Sequence, residues 1–199
     1  MASAHQLRRQ ADVQRLHALA ARSAGRLTVV SASPAPGTPI RVALTVRTVT
    51  GPQYRGAAEA AGAVALRIDL PARYPFERPV VVVESPVFHP NVFPNGTVCQ
   101  GEKWVQSEGL DLLVMRIGRL LTWDAAHVNP ASPANRTAAN WYLARRASEP
   151  ATFPTDLVSW EAERVVVRCP ACGTGLRLPP GRRGVVACPA CRRDVEVQT

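Results

Sequence analysis

Two different spacings of apolar residues divide the first part of the chain. Between residues 5 and 22, apolar side chains recur every three or four positions among arginines and glutamines, which predicts an amphipathic helix that ends near Gly25. From Arg26 onward the spacing changes to two, with polar or small residues at most alternate positions. This alternation predicts a four-stranded antiparallel meander with one buried face. Its apolar positions are Leu27 and Val29, then Ile40, Val42, Leu44 and Val46, then Val64, Leu66, Ile68 and Leu70, and finally residues 80–83.

Helical spacing returns after the meander. Residues 110–121 carry a dense apolar face, which predicts a central helix packed on the sheet. Ser132-Pro133 has the residue types of a helix N-cap and first turn, so a further helix is expected over residues 134–146, with Trp141 as its largest anchor. The order of elements is therefore helix, four strands, an ordered loop and two helices, which is an α/β fold of the α+β kind.

The length of the chain allows more than one folded unit. Its 199 residues, 46 % of them apolar, suffice for one well-buried domain and a small appendage. We expect a main domain over residues 1–148, a linker over 149–164 in which residues 157–160 allow a short helix, and a small module over 165–199. No apolar run approaches the roughly 20 residues that span a bilayer, so we expect a cytoplasmic protein without a membrane partner.

The charge of the chain is strongly basic. The formal net charge is +9, and it comes almost entirely from arginine because Lys103 is the only lysine. A basic surface favours acidic proteins or nucleic acid as partners, and the charge alone does not choose between them.

The loop from His89 to Cys99 is the first candidate for chemistry. Two prolines and the Asn95-Gly96 step exclude a helix and favour a tight, ordered turn. Such a loop can hold one thiol at a fixed place on the surface, which is what a cysteine nucleophile requires. The alternative is that Cys99 is a small buried apolar residue, as many free cysteines are.

The other four cysteines form two matched pairs near the end of the chain. Cys169 and Cys172 form one Cys-x-x-Cys pair, Cys188 and Cys191 form the second, and 15 residues separate them. This spacing is typical of a structural zinc site with four thiolate ligands. Disulfides or a redox pair are the alternative, and they are less compatible with a cytosolic chain. The module is therefore predicted to be a zinc ribbon, with an exposed basic tip at residues 181–184.

The segment from Tyr74 to Cys99 resembles the ubiquitin-conjugating enzymes, and the order of elements extends the resemblance over roughly residues 5–147. The motifs are a Tyr74-Pro75-Phe76-x-x-Pro79 corner, the triplet His89-Pro90-Asn91, and Asn95-Gly96-x-Val98 before Cys99. Weaker matches are Gly51-Pro52-x-Tyr54-x-Gly56, Trp104 and Asn129-Pro130-x-Ser132-Pro133.

This resemblance implies the ubiquitin-conjugating-enzyme fold and a ubiquitin-like protein carried as a thioester on Cys99. It also implies an activating enzyme that loads the thiol and a protein target or ligase that unloads it. Independently of the resemblance, the zinc ribbon is a candidate module for recruiting a partner or substrate. Asn91 is expected to aid transfer, either by stabilising the oxyanion or by supporting the loop. His89 is expected to support the loop, and Ser132 matches the gate position beside the cysteine.

The chain also departs from the family pattern. Gly101 followed by Glu102 stands where many members have an acidic residue two positions after the cysteine, so Glu102 or His127 is a candidate substitute. The departures and the composition suggest a divergent bacterial member, of the kind found in gene clusters linked to antiphage defence.

Two other functions are compatible with the sequence. The fold could serve as a catalytically inactive scaffold, although the intact triplet and Cys99 argue against this. A nucleic-acid-binding zinc-ribbon protein is the second alternative, supported by the arginines but not by any aromatic residue in the ribbon.

Overall fold

The computed structural model describes residues 4–33, 35, 37–51, 63–101, 104–160, 165–178 and 183–198. Its helices are α1 (Ala4–Arg22), α2 (Leu110–Leu121) and α3 (Arg136–Ser148), and a 3₁₀ turn follows at Pro150–Thr152. Its strands are β1 (Leu27–Ser31), β2 (Ile40–Leu44), β3 (Val64–Asp69), β4 (Val80–Val83), β5 (Val165–Arg168), β6 (Gly175–Leu178), β7 (Arg183–Ala187) and β8 (Asp194–Gln198). The predicted order of elements is confirmed. None of the helices in these residues is both long and apolar enough to cross a membrane.

The first four strands form one antiparallel sheet in the order β1-β2-β3-β4. The period of two buries one face of the sheet: in β2, Ile40, Val42 and Leu44 are buried while Arg41 is exposed. Helix α2 and the apolar face of α1 contribute to the same core. Each fully buried aliphatic side chain contributes about 1.5–3 kcal/mol, so this interface is the main source of stability for the domain.

Helix α3 begins later than the sequence suggests, and the expected cap is wrong. Asn135 is the N-cap, and its side chain accepts a hydrogen bond from the Ala138 backbone N–H. Ser132 lies three residues before this cap in an exposed turn. The anchor of this region also differs from the prediction: Tyr142 of α3 is buried, whereas Trp141 is only half-buried.

Residues 153–160 do not form the short helix that the linker allowed; they run without regular secondary structure along the main domain, and we call them the strap. Asp156 fixes the strap to the end of the sheet, because its Oδ2 accepts hydrogen bonds from Arg26 at 2.6 Å and from the Arg47 backbone N–H at 3.1 Å. Residues 161–164 of the predicted linker lie outside the described residues.

Trp160 ends the strap inside the core of the main domain, where it is buried against Gly118 of α2. A β-carbon at position 118 would overlap the six-membered ring of Trp160. This close approach explains a glycine in the middle of a helix, where glycine costs about 1 kcal/mol relative to alanine.

We expect Gly118→Ala to have opposite effects in two backgrounds. In the otherwise unchanged chain it should lower the free energy of unfolding by about 1–3 kcal/mol, because the new methyl group displaces Trp160. In a Trp160→Ala background it should raise the free energy of unfolding by up to about 1 kcal/mol, because only the gain in helix propensity remains. Urea denaturation of the four variants, followed by far-ultraviolet circular dichroism, measures this coupling. The same sign in both backgrounds would contradict the packing described here.

Candidate active site and metal centre

The loop that carries Cys99 is attached to the edge of the sheet. Strand β4 is an edge strand, and the loop hydrogen-bonds to it through Val83 N to Gly96 O and Val98 N to Val81 O, both at 2.8 Å. Gly96 has a φ of +84° and lies so close to β4 that a β-carbon would overlap the Val83 carbonyl oxygen. Glycine is therefore required at this point of the Asn-Gly turn, and the turn fixes the strand-like residues that end at Cys99.

Cys99 is half-buried and lies on an open groove of about 550 Å³. Around the thiol, the groove is lined by residues from the Cys99 loop, from α2 and from the segment between α2 and α3: Asn91, Gln100, Gly101, Arg116, Leu120, Ala126, His127, Val128, Asn129 and Ser132. We call this cavity the Cys99 groove. A ligand can therefore approach the thiol along a defined surface.

Asn91 connects the two sides of the Cys99 groove. Its backbone carbonyl accepts a hydrogen bond from the Cys99 N–H at 2.7 Å, and its side-chain Oδ1 accepts one from the Asn129 backbone N–H at 3.0 Å. The second contact orients the amide, so that the NH₂ group is the end turned away from Asn129. The geometry therefore supports the loop directly and leaves a hydrogen-bond donor in a side chain that lines the groove.

His89 is completely buried beneath the loop. Its Nδ1 accepts a hydrogen bond from the Asn91 backbone N–H at 3.0 Å, and its ring centroid lies 4.5 Å from that of Trp123. Burial lowers the pKa of His89 to about 3, and the Leu120 backbone only partly offsets this effect. The ring is therefore neutral at physiological pH, it does not line the Cys99 groove, and its geometry is that of a loop support.

The buried His89 should make the domain sensitive to acid. An imidazole in the unfolded chain gains its proton near pH 6.5, whereas folded His89 gains it only near pH 3. The contribution of His89 is therefore fully present above about pH 6.5, and it is lost as the pH falls through this interval. The loss approaches about 1.4 kcal/mol per pH unit.

We expect His89→Asn, which keeps an acceptor near the Nδ1 position, to flatten this slope. Urea denaturation at several pH values between 7.5 and 4.5 measures it. His17→Asn, on the exposed face of α1, is the matched control and should keep the acid slope. An equal slope in His89→Asn and the unchanged chain would contradict the assignment.

Ser132 is exposed at the rim of the Cys99 groove. Its backbone N–H donates to Asn129 Oδ1 at 3.3 Å, so the two asparagines Asn91 and Asn129 hold the turn that presents it. The structure thus brings Cys99, Asn91 and Ser132 to one groove and places His89 underneath. Glu102 and Lys103 lie outside the described residues.

Several residues of the Cys99 groove were not identified from the sequence. Arg116 reaches it from α2, with its charge compensated by a two-pronged ion pair to Glu108 at 3.0 and 3.1 Å. Gln100, Leu120 and Val128 complete the wall. Their helical or loop positions carry no chemical motif, so only the packing of α2 beneath the loop could have revealed them.

The four paired cysteines converge in the C-terminal module. Cys169 and Cys191 have their sulfurs 3.8 Å apart, those of Cys172 and Cys188 are 3.7 Å apart, and all four lie within 4.8 Å of one another. A tetrahedral zinc ion with Zn–S bonds of about 2.3 Å places its sulfurs about 3.8 Å apart. A disulfide would need about 2.05 Å. The donor set and its spacing therefore fit a four-coordinate metal ion and do not fit disulfides.

Two similar turns hold these cysteines. In each, the residue after the second cysteine donates its N–H to the carbonyl of the first at 2.8 Å, from Gly173 to Cys169 and from Arg192 to Cys188. Both of these residues have a left-handed φ, +73° and +58°. The hairpins β5-β6 and β7-β8 extend from the two turns.

Comparison with known proteins gives consistent results. The sequence pattern of the family described as ubiquitin-conjugating enzyme matches residues 41–152. A ubiquitin-conjugating enzyme E2 of African swine fever virus is 30 % identical over 38 % of this chain and 39 % of its own length. The SUMO-conjugating enzyme UBC9 of Caenorhabditis elegans is 33 % identical over 46 % of this chain and 56 % of its own length. The chain thus spans only about two fifths to three fifths of these relatives.

A solved structure also shares the architecture. Ubc12 of Saccharomyces cerevisiae aligns with a TM-score of 0.53 at 24 % identity, over 71 % of this chain and 72 % of its own. At this identity the likeness concerns the fold. It agrees with the sheet and flanking helices described above.

Proposed function

Because the chain belongs to the ubiquitin-conjugating enzyme family, we propose that it accepts a ubiquitin-like protein from an activating enzyme as a thioester on Cys99 and transfers it to a lysine amine of a target. The observation that carries this proposal is the placement of Cys99, half-buried on an open groove that also contains Asn91 and Ser132. A scaffold would not require a thiol at such a place. The cytoplasmic location expected from the sequence, and the role in bacterial antiphage defence suggested by the departures from the family pattern and by the composition, are part of the same proposal.

The proposed chemistry consists of two acyl transfers. The Cys99 thiolate attacks the thioester of the loaded activating enzyme, so that a new C–S bond forms and the donor thiolate leaves. A neutral amine then attacks the carbonyl carbon, a C–N bond forms and the C–S bond breaks. The proton that the nitrogen loses goes to the departing sulfur, and Cys99 is returned as a thiol. In each step negative charge develops on the carbonyl oxygen, and the NH₂ group of Asn91 is the donor we assign to it. We assign contact with the incoming lysine to Ser132, which is exposed at the rim of the groove.

The activating enzyme has a candidate docking surface on the described residues. Leu7, Phe76 and Val105 are large apolar residues that are more than half exposed. Their segments are held together by hydrogen bonds from Arg8 to the Gln106 carbonyl at 2.6 Å and from Trp104 to the Pro75 carbonyl at 2.9 Å. Clustered exposed apolar side chains mark protein-interaction sites, and we assign this one to the activating enzyme.

Phe76→Ala should therefore slow loading of Cys99 by the activating enzyme by about tenfold or more, since truncating an interface anchor commonly costs more than 1 kcal/mol. Loading from a small peptide thioester should not change, because it does not use this surface. Initial rates of adduct formation on Cys99 measure both reactions. Equal loss in both would place Phe76 in the fold of the site instead of at an interface.

Zinc is the metal we propose for the C-terminal module. Cys169, Cys172, Cys188 and Cys191 would hold it, and four protein ligands leave no open position for catalysis, so its role is structural. We propose that the module recruits a target or ligase. Exposed Val166 and Val185 beside exposed arginines give it a mixed apolar and basic surface. The stacking residues that nucleic-acid binders use are missing from residues 165–198.

The proposal is tested with the activating enzyme and ubiquitin-like protein encoded beside the gene, or with ubiquitin and its activating enzyme. With ATP, the chain should form an adduct that reducing agents remove, and Cys99→Ala should not form it. Absence of an adduct on the unchanged chain, with all of these donors, would favour the scaffold function. A mobility shift with random nucleic acid at physiological salt would instead favour the nucleic-acid-binding alternative.

A further inference from the structure

The turn between α2 and α3 brings an acid and an imidazole to the Cys99 groove. The Asp124 backbone carbonyl accepts hydrogen bonds from the N–H groups of His127 at 2.8 Å and Val128 at 3.1 Å, and its side-chain Oδ1 accepts one from Ala126 N at 3.0 Å. These three bonds close residues 124–128 into one compact turn. The position of its side chains is therefore fixed by the backbone.

Trp123, immediately before this turn, has an unusual backbone conformation. It is fully buried and has a φ of +64°, which is rare for a large side chain. Aromatic packing with Tyr142 and Phe153, at ring distances of 5.2 and 5.1 Å, holds it there. Such strain concentrates at functional sites, and here it sets the direction in which the following turn leaves the core.

The side chains of Asp124 and His127 lie next to each other. His127 Nδ1 is 3.4 Å from Asp124 Oδ2, and the side chains are 18 % and 38 % exposed. At this distance the carboxylate stabilises the imidazole ring when the ring carries a proton. His127 lines the groove together with Cys99.

We infer that His127 is the general base of the transfer step, positioned by Asp124; this inference rests on the proposed function of Cys99. When the ammonium of the incoming lysine loses its charge and attacks the thioester carbonyl, its proton passes to His127 Nε2. The C–N bond forms and the C–S bond breaks. The second proton that the nitrogen loses goes to the departing Cys99, which leaves as a thiol, and the imidazolium then returns its own proton to solvent. Asp124 stabilises the imidazolium while it exists.

The composition of the Cys99 groove supports this assignment. Among the described residues that line it, the ionisable side chains are Cys99, Arg116 and His127. Cys99 holds the acyl group during transfer, and Arg116 is a permanent cation paired with Glu108. The asparagines, Gln100 and Ser132 do not accept a full proton near neutral pH. His89 is buried with its Nδ1 already accepting from the Asn91 N–H. Among the described residues that line the groove, His127 is the remaining proton acceptor.

The test compares two amines on the same loaded chain. Cys99 is loaded by exchange with a peptide thioester that ends in Gly-Gly, and the adduct is then chased with lysine or with hydroxylamine, which is largely uncharged at neutral pH. Intact-mass spectrometry follows the loss of the adduct. His127→Gln should slow discharge to lysine by about 10²-fold or more and leave discharge to hydroxylamine nearly unchanged. Asp124→Asn should slow discharge to lysine by a smaller factor.

A control variant completes the test. His17→Gln, on the exposed face of α1, should behave like the unchanged chain with both amines. If the unchanged chain forms no adduct, the proposed function fails. If it forms one, two results overturn the inference while the proposed function stands. In the first, His127→Gln discharges to lysine at the unchanged rate; in the second, its discharge to lysine and to hydroxylamine slows by the same factor.

Discussion

Removal of the metal ion should unfold the C-terminal module and leave the main domain folded. Among the described residues of the module, those that are buried are Cys169, Leu176, Cys188, Val195 and Val197. Its two sheets have two strands each, and isolated two-stranded hairpins are marginally stable at best. Metal binding by four thiolates supplies on the order of 10–16 kcal/mol near neutral pH, which is more than such a core can provide. The main domain has its own extensive core and needs no metal.

Backbone amide spectra of the full chain measure this effect. A strong chelator should collapse the resonances of residues 165–198 into the unfolded region and leave those of β2 and β3 in place. Cys172→Ser should lose the bound zinc, whereas Cys99→Ser, which changes a thiol outside the cluster, should keep one zinc per chain. A module that keeps its dispersed resonances without metal would show that packing, and not coordination, holds it together.

Much of the fold follows from periodicity alone. The apolar face of α2 fixes its limits at Leu110 and Leu121, and the alternation in β2 and β3 fixes which face of the sheet is buried. The reason is that long, regular patterns bury a whole surface, so a shift of even one residue would expose it. The position of Cys99 at the end of a proline-marked loop and the convergence of the four paired cysteines were visible in the same way, because turn residues and metal ligands occur at fixed spacings.

Features that depend on a single contact were not predictable. Ser132-Pro133 has the residue types of a helix start, but Asn135 is the N-cap because its side chain reaches the Ala138 N–H from that backbone position. Trp160 ends a proline-containing segment for which the sequence allows a short helix, and its pocket exists only because residue 118 of a distant helix is glycine. Such pairings join residues far apart in the chain, and neither partner shows the pairing by itself.

The residues that line the Cys99 groove opposite the loop were unpredictable for the same reason. Trp123 reads as an ordinary apolar residue near the end of α2, yet its left-handed backbone redirects the chain and carries Asp124 and His127 to the groove. A reversal of this kind depends on the surrounding aromatic side chains, not on the residue itself. The loop that carries Cys99 could therefore be located from the sequence, but the surface opposite it could not.

Asn91→Asp should slow the transfer of the acyl group from Cys99 to lysine by about 10²–10³-fold, the loss typical for one oxyanion donor. The substitution retains an oxygen that can accept from the Asn129 N–H, which is the contact that holds the two sides of the groove. It removes the NH₂ donor and places a negative charge where the oxyanion would form. Discharge of the Cys99 adduct to lysine, measured in a single turnover, is the readout.

The two possible roles of Asn91 predict different rankings of the transfer rate among variants. If the amide only supports the loop, Asn91→Asp should transfer almost normally and Asn91→Ala should be slow, because only the latter loses the acceptor for Asn129. If the NH₂ group stabilises the oxyanion, both variants are slow, while the Asn129 amide resonance stays in place in Asn91→Asp. Asn95→Asp is the matched control in the same loop: its Oδ1 accepts from Thr97 N at 3.0 Å, and it does not line the Cys99 groove, so its transfer rate should not change. We expect the second ranking, because the contact to Asn129 uses only the oxygen of the amide and turns its nitrogen away from that contact.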